Sequence, residues 1–284
     1  MTKSILLTHN DFDAAVCAVV ALRTNTVQKV EYHDYKTIDK AVLKALEAGY
    51  DFIYLADISV EPDTAQKMNE AGNCRLFDHH KTAEEKLSTL NYPWITIDQT
   101  MCGAKVFAQY FNTEELKDVE KLLYHANDYD MWIHESPHSK RLNMLLWLYG
   151  IEKFVERFVK NPSVMLTEEE NKMVDDYVEK RRAYVTKATD SMITVKDKQN
   201  RPVAIVFAEK YASDIGQNIL YCYPDIEYVV IINMVEGTVS FRSRQVDVSE
   251  LAKFFGGGGH KLSAGCEMRP IDILRTFVLA KVRV

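Results

Sequence analysis

The first 80 residues alternate short apolar runs with longer segments whose apolar residues recur at helical spacing. Such alternation predicts an α/β domain with a mostly parallel sheet and helices on both faces. The predicted strands cover 4–8, 29–35, 52–56 and 75–77, and the predicted helices cover 12–24, 38–48 and 62–71.

The pattern becomes helical after residue 100 and returns to short strands after residue 191. Helices are predicted at 101–111, 114–126, 144–160 and 168–191, the last opening on a capping box of Thr167 and Glu170. A small second sheet is predicted from strands at 193–195, 203–208, 228–234 and 238–242, with helices at 212–220 and 248–255. We therefore expect two domains, a larger one over 1–190 that ends in a linker helix and a smaller α/β domain over 191–284.

Composition is that of a soluble globular protein and excludes a disordered chain, since 47% of the 284 residues are hydrophobic and 27% are charged. No apolar run reaches the ~18 residues of a membrane helix, and the start of the chain does not resemble a signal peptide. The five cysteines include no C-x-x-C pair, which argues against a zinc ribbon and for a reduced, cytoplasmic protein.

The charge is unevenly distributed. The chain holds 35 Lys+Arg and 41 Asp+Glu, a net of −6. Residues 191–284 contribute 12 and 10 of these, a net of +2, which leaves 23 and 31, a net of −8, for residues 1–190. The first domain is thus strongly acidic.

Acidic and histidine side chains follow three of the four predicted strands directly. They are His9, Asp11 and Asp13 after the first strand, Asp57 after the third, and Asp78, His79 and His80 after the fourth. Parallel strands bring these positions to one sheet edge, where α/β folds bind ligands. Closely packed carboxylates repel one another, and oxygen and imidazole ligands without thiolate suit Mn²⁺, Mg²⁺, Co²⁺ or Zn²⁺. The sequence therefore predicts a divalent metal site, to which Asp128 or Asp130 is a further candidate contributor.

Each of these residues taken alone has a simpler explanation. Asp11 or Asp13 would cap the following helix, Asp57 would start a turn, and the loop around Asp128 would pack Trp132 into the core. The convergence of all these segments on one edge favours the metal site.

Four consecutive glycines, Gly256–Gly259, precede His260 in the second domain. Glycine admits positive φ, so successive amides can turn towards one anion, and an Arg fork such as Arg242 or Arg244 can hold a phosphate. A flexible linker is the alternative, but linkers are usually rich in Ser and lie between domains. This segment is predicted to bind phosphate.

The motifs together resemble the DHH/DHHA1 phosphoesterase family. The resemblance rests on Asp78-His79-His80, preceded by His9-x-Asp11-x-Asp13-Ala14 and Asp57, and on Gly256–His260 followed by Ser263-Ala264-Gly265. These motifs stand in the family order and span residues 9–265. The His-Asn-Asp-x-Asp form and the Phe-Asp-His-His-Lys-Thr run are most similar to the oligoribonuclease (nano-RNase) members.

The resemblance implies two divalent ions, usually Mn²⁺, with Asp57 as the bridging ligand. It implies the metal ligands His9, Asp11, Asp13, Asp57, His79 and Asp128. Asp128 is preferred to Asp130 because an aromatic residue, Trp132, follows it by four positions. His80 is expected to contact the scissile phosphate or its leaving oxygen, and Asp78 to orient a ligand. The substrate phosphate is expected at a second set of residues, Arg242, Ser243, Gly258, Gly259 and His260.

The resemblance also implies an activity, a two-metal phosphodiesterase that degrades short RNA or DNA oligonucleotides to nucleoside 5′-monophosphates. Alternatives are a single-strand exonuclease of the RecJ type, a linear or cyclic dinucleotide phosphodiesterase, a 3′-phosphoadenosine 5′-phosphate phosphatase, and a nucleotide-binding sensor without activity. The glycine motif argues against a pyrophosphatase. Cleavage polarity, RNA or DNA preference, the metal used in the cell and the oligomeric state, a homodimer included, are left open.

Overall fold

The structure, a computed structural model, describes residues 3–111 and 113–278. The chain divides into two compact units, 1–174 and 175–284, and the division lies within a long helix, α10 (Glu168–Asp190). The predicted boundary near residue 190 lies at the end of this same helix. The predicted capping box begins it, because the Glu170 amide donates to Thr167 Oγ1 at 3.1 Å and the Thr167 amide donates to Glu170 Oε2 at 2.8 Å.

The described part of the first unit contains a parallel sheet of five strands in the order β2-β1-β3-β4-β5. The strands are β1 (Ser4–Thr8), β2 (Lys29–Tyr32), β3 (Phe52–Ala56), β4 (Cys74–Asp78) and β5 (Ile95–Ile97). The predicted parallel sheet is confirmed. Because β1 lies between β2 and β3, the strand order reverses there, and such a switch point opens a crevice at the carboxyl edge.

Helices cover both faces of this sheet and bury a core on each side. They are α1 (Phe12–Arg23), α2 (Ile38–Glu47), α3 (Pro62–Ala71), α4 (Lys81–Leu87), α5 (Gly103–Ala108), α6 (Thr113–Leu116), α7 (Glu120–Asp130), α8 (Pro137–Tyr149) and α9 (Ile151–Lys160). Helix α1 is buried along most of its length, since α5, α7 and α9 pack around it. This packing fixes the two acids at its start.

Two of the predicted helices differ from the structure. The segment predicted as 144–160 is two helices, α8 and α9, separated at Gly150, whose φ is 76°. The segment predicted as 114–126 is α6, a short 3₁₀ turn and α7, and α7 continues to Asp130. The longer extent of α7 matters for the site, because it places two candidate acids on a helix and not in a loop.

The second unit contains a mixed sheet of six strands in its described part, ordered β10-β11-β9-β8-β7-β6. The strands are β6 (Ile193–Lys196), β7 (Pro202–Phe207), β8 (Tyr228–Asn233), β9 (Thr238–Ser243), β10 (Gly258–His260) and β11 (Ser263–Glu267). The helices are α11 (Ala212–Cys222), α12 (Ser249–Phe254) and α13 (Pro270–Ile273), and a π-helical turn follows at Leu274–Val278. Among the described residues, no helix is both long and apolar enough to cross a membrane.

Candidate metal centre and phosphate-binding residues

The chain leaves β1 through His9 and enters α1 through Asp11. Asp11 caps the helix, because its Oδ1 accepts the Ala14 amide at 3.0 Å, while its Oδ2 lies 3.0 Å from His9 Nδ1. Burial raises the pKa of Asp11, but the hydrogen bonds from His9 and Ala14 outweigh it and the net shift is downward. Asp11 is therefore an ionised carboxylate in this site.

Asp13 points into the protein from the first turn of α1 and is only 1% exposed. Its two oxygens accept the Ala104 amide at the start of α5, at 3.2 and 3.3 Å. Burial and the nearby charge of Asp130 raise the pKa of Asp13 to about 7. A cation beside this group would reverse that shift.

Asp57 follows β3 with a φ of 59°, a left-handed conformation that is uncommon for residues other than glycine. Helix α5 packs closely against it, since a Cβ on Gly103 would stand 2.8 Å from Asp57 Cβ and 2.9 Å from its Oδ1. Neither carboxylate oxygen of Asp57 has a hydrogen-bond partner in the described part of the chain, although both are buried. Burial and neighbouring carboxylates, Asp13 first among them, raise the pKa of Asp57 well above its ordinary value.

His79 lies at the centre of these acids. Its Nε2 is 3.2 Å from Asp57 Oδ1, 3.4 Å from Asp130 Oδ2 and 4.0 Å from Asp13 Oδ2. None of these approaches is aligned as a hydrogen bond, and Nε2 is buried without a partner among the described residues. Burial lowers the pKa of His79, so the ring is neutral and can offer a nitrogen lone pair. A divalent cation between these atoms would satisfy all of them at once, so the donor set fits a metal.

Asp78 positions the two histidines that follow it. It is fully buried, and its Oδ1 accepts the amides of His79 and His80 at 2.7 and 3.1 Å and faces His80 Nδ1 at 2.7 Å. The hydrogen bond to Asp78 raises the pKa of His80. The geometry matches the orienting role expected of Asp78 and turns Nε2 of the partly exposed His80 ring away from it.

Asp128, the ligand preferred from the sequence, makes a different set of contacts. Its carboxylate accepts the amides of Glu135 and Ser136 at 2.8 and 3.3 Å and the Ser139 hydroxyl at 2.6 Å. Asp130 is the residue beside His79. Both acids lie on α7. Side chains two residues apart on a helix point about 200° away from each other, so only one of the two can face the site. The structure thus places Asp130, and not the expected Asp128, beside His79.

Arg242 on β9 lies in the second unit under helix α11. Its Nη1 donates to the Phe241 carbonyl at 2.8 Å and its Nη2 donates to Ser213 Oγ at 2.9 Å. A Cβ on Gly216 would stand 2.5 Å from Arg242 Cγ, so the glycine in α11 leaves room for this side chain. Burial lowers the pKa of Arg242, which indicates that its charge is partly desolvated and suited to an anion.

The glycine run is part of the sheet and not a linker. Gly258 pairs with Gly265, Gly259 with Ala264, and His260 with Ser263, which in turn pairs with Arg242 on β9. Directly paired residues share a face, so His260, Ser263 and Arg242 form one polar row. An open pocket of about 550 Å³ adjoins it, lined by Thr238, Val239, Ser240, Gly256, Gly257, Gly265, Cys266 and Glu267.

Ser243 and Arg244, the other candidates on this strand, make contacts within the fold. The Ser243 hydroxyl donates to the Glu227 carbonyl at 3.1 Å and accepts the amides of Gln245 and Val246 at 3.1 and 2.8 Å. Arg244 Nη1 donates to the Pro224 carbonyl at 3.0 Å. Ser243 thus stabilises the turn after β9, and Arg242 is the better phosphate candidate.

Sequence reasoning missed two elements of the site, the close approach of α5 and the ring of Tyr35. The Tyr35 ring lies 5.5 Å from that of His9 and 6.2 Å from that of His80. Cys102, Gly103 and Ala104 form no recognisable motif in the sequence, so no local signal marks the approach of α5. Tyr35 follows β2 at the same edge of the sheet as the acids, and this position after a strand could have identified it as a residue of the site.

Comparison with known proteins finds relatives in sequence and in fold. The chain matches no protein-family model. It is 26% identical over 306 aligned residues to oligoribonuclease NrnB of Bacillus subtilis, covering 98% of this chain and 76% of NrnB. In fold it is similar to the pGpG-specific phosphodiesterase PggH of Vibrio cholerae (TM-score 0.61, 15% identity, 96% of each chain). It is also similar to the DHH domain of PF0399, a member of a family of ribosomal proteins (TM-score 0.59, 11% identity, 100% and 87% of the chains). Motif order, fold and the similarity to NrnB along nearly the whole chain agree, and the chain is thus similar to proteins of the DHH phosphoesterase type.

Proposed function

We propose that the protein is a metal-dependent phosphodiesterase that hydrolyses short RNA or DNA oligonucleotides to nucleoside 5′-monophosphates. The observation that carries the proposal is the buried His79 Nε2 within 4.0 Å of carboxylate oxygens from three different segments. The similarity to an oligoribonuclease over 98% of the chain supports the substrate class.

The proposed ligands divide into two sets that share Asp57. One set is Asp13, Asp57, His79 and Asp130, and the other is His9, Asp11 and Asp57. The nearby thiols, Cys17 and Cys102, are buried among these acids, which raises their pKa values and keeps them protonated. Oxygen and imidazole donors without thiolate suit Mn²⁺ or Mg²⁺. Two such ions, when bound, would supply an activated water and charge stabilisation for the attacking and leaving oxygens of an in-line displacement.

His80 is proposed to assist at the leaving oxygen. Asp78 occupies its Nδ1 and raises its pKa, which leaves Nε2 as the proton-bearing atom that can face a ligand. A protonated imidazole donates a hydrogen bond to a phosphate oxygen and can give up that proton as the leaving group departs. The left-handed backbone of Asp57 and the close packing of Gly103 against it hold this carboxylate in place before substrate binds.

The second unit is proposed to hold a substrate phosphate. Arg242 supplies a partly desolvated guanidinium whose orientation the Ser213 hydroxyl fixes. The exposed Gly258, Gly259 and His260 supply amides and an imidazole on the neighbouring strand. Binding of one terminal phosphate by these residues would favour a short substrate over a long strand.

Purified protein incubated with Mn²⁺ and end-labelled two- to five-mers tests the proposal by release of mononucleotides. Asp57→Asn is expected to abolish release, and since Asn tolerates positive φ better than most residues, the variant should fold. Asp63→Asn, an exposed acid in the first turn of α3, is the matched control and should keep full activity. Rates on a 24-mer and on 3′-phosphoadenosine 5′-phosphate separate the alternative substrates. Lack of hydrolysis with Mn²⁺, Mg²⁺, Co²⁺ and Zn²⁺ would contradict the proposal and support a nucleotide sensor.

A further inference from the structure

The turn after α7 presents a tryptophan to solvent next to the metal centre. Trp132 is 78% exposed and lies two residues beyond Asp130, whose carboxylate is 3.4 Å from His79. Two peptide units span at most about 7.6 Å between Cα atoms, so the indole starts close to the ligands. Packing of Trp132 into the core, which the sequence left as an alternative, is therefore wrong.

The backbone of this turn is held in an unfavourable conformation. Trp132 has a φ of 57°, in the left-handed region where bulky residues are outliers, and His134 has a φ of 54° in the same region. Asp128 holds the turn, because its carbonyl accepts the amides of Ile133 and His134 at 3.1 and 3.0 Å. Its carboxylate holds the residues that follow. Strain that the surroundings maintain in this way is typical of functional sites.

A series of ring contacts connects the indole of Trp132 to the protein core. The Trp132 ring meets that of His134 edge-on at 4.4 Å, His134 meets Tyr129 at 5.6 Å, and Tyr129 meets the buried Phe12 at 6.0 Å. Edge-on contacts fix the plane of a ring without stacking on it. The indole is thus an oriented, solvated aromatic surface.

We propose that Trp132 is the stacking surface for a nucleobase of the substrate, beside the phosphate that binds at the metal centre. The inference rests on the proposed function and adds a specificity-determining residue to it. Stacking on an aromatic ring accepts every base, since each has a π-face. It would select nucleotides over phosphate esters that lack a base.

Binding of a mononucleotide tests this without any turnover. Calorimetry on the Mn²⁺-loaded protein compares adenosine 5′-monophosphate with ribose 5-phosphate, which has the same phosphate and no base. The wild type should prefer the nucleotide by roughly 10- to 100-fold, and Trp132→Ala should abolish that preference while leaving ribose 5-phosphate binding unchanged. Trp132→Phe should restore most of it, because the ring is retained. Trp147→Ala, at an indole 73% exposed on α8, is the matched control and should behave as wild type.

Kinetics on a diribonucleotide provide the second readout. Trp132→Ala is expected to raise KM by a similar factor with little change in kcat. Equal nucleotide affinity in Trp132→Ala and wild type would overturn the stacking role, whether or not the protein hydrolyses RNA. Base-dependent binding without hydrolysis in any divalent ion would instead leave Trp132 as proposed and contradict the phosphodiesterase.

Discussion

The buried carboxyl of Asp13 should make the metal-free protein less stable as pH rises. Its pKa is about 7 in the folded protein and ordinarily 3.8, so between these values the folded state keeps a proton that the unfolded state loses. The stabilising contribution is complete below pH 3.8 and is lost as pH rises to about 7. A rise of this size corresponds to about 4 kcal/mol, of which about 3 kcal/mol falls between pH 5 and pH 8.

Asp13→Asn removes the titrating group and keeps an oxygen that can accept the Ala104 amide. In EDTA, the free energy of unfolding of the variant relative to that of the wild type should increase by about 3 kcal/mol between pH 5 and pH 8. Saturating Mn²⁺ should instead stabilise the wild type more than the variant at pH 8, since the wild type alone then presents the ionised ligand. Urea titrations at both pH values, with EDTA or Mn²⁺, measure all four differences.

Asp11→Asn is the matched control on the same turn. The pKa of Asp11 is lowered in the fold, so its contribution has the opposite sign, present above the ordinary value and lost on acidification. Asn also caps helices, so the cap of α1 is kept in this variant. Asp11→Asn should therefore not increase the free energy of unfolding at pH 8. If Asp13→Asn in EDTA were no more stable relative to wild type at pH 8 than at pH 5, the electrostatic account of this site would be refuted.

Further variants separate the roles of neighbouring residues. Asp130→Ala should lower Mn²⁺ affinity at least about tenfold in calorimetry with little loss of stability. Asp128→Ala should instead destabilise the fold by about 3 kcal/mol in urea unfolding, because three hydrogen bonds are lost. Gly103→Ala should weaken Mn²⁺ binding and cost about 1–3 kcal/mol in the same assays, because its Cβ would overlap the metal-site carboxylate. Gly216→Ala should displace Arg242 and raise KM for dinucleotides while Mn²⁺ affinity stays unchanged, and a raised Kd for Mn²⁺ would contradict that assignment.

Sequence patterns predict the three strands before the candidate ligands well because each is an apolar run followed within three residues by acidic and histidine side chains. Strands β1 and β3 match their predictions residue for residue. Strand β5 consists of β-branched residues but has only three of them, too few to mark a strand in the sequence. Strands β10 and β11 are rich in glycine and other small residues and contain no β-branched residue, so the partners across the sheet, and not local propensity, make these two segments strands.

The choice between Asp128 and Asp130 could not be made from spacing. The sequence predicts a helix that ends at residue 126, which would put both acids in a loop where either could turn to the site. Helix α7 instead extends to Asp130, and the hydrogen bonds that Asp128 accepts from the residues after it fix which side faces the ligands. Side-chain capping of a strained turn is a tertiary feature without a local sequence signal.

In the proposed metal site, protons and metal ions would compete for the same carboxylates, and that competition bears on the acidic charge of the chain. Asp13 and Asp130 titrate at about 7 and 6 in the metal-free site, so binding of a divalent ion near neutral pH displaces protons from them. Affinity for Mn²⁺ should therefore rise with pH between about 6 and about 7. Two bound ions would offset roughly four of the excess negative charges of residues 1–190 at the sheet edge where they are concentrated. The net charge of −6 is thus compatible with a nucleic acid substrate, provided that it is short enough to be held at the loaded site and not along the acidic surface.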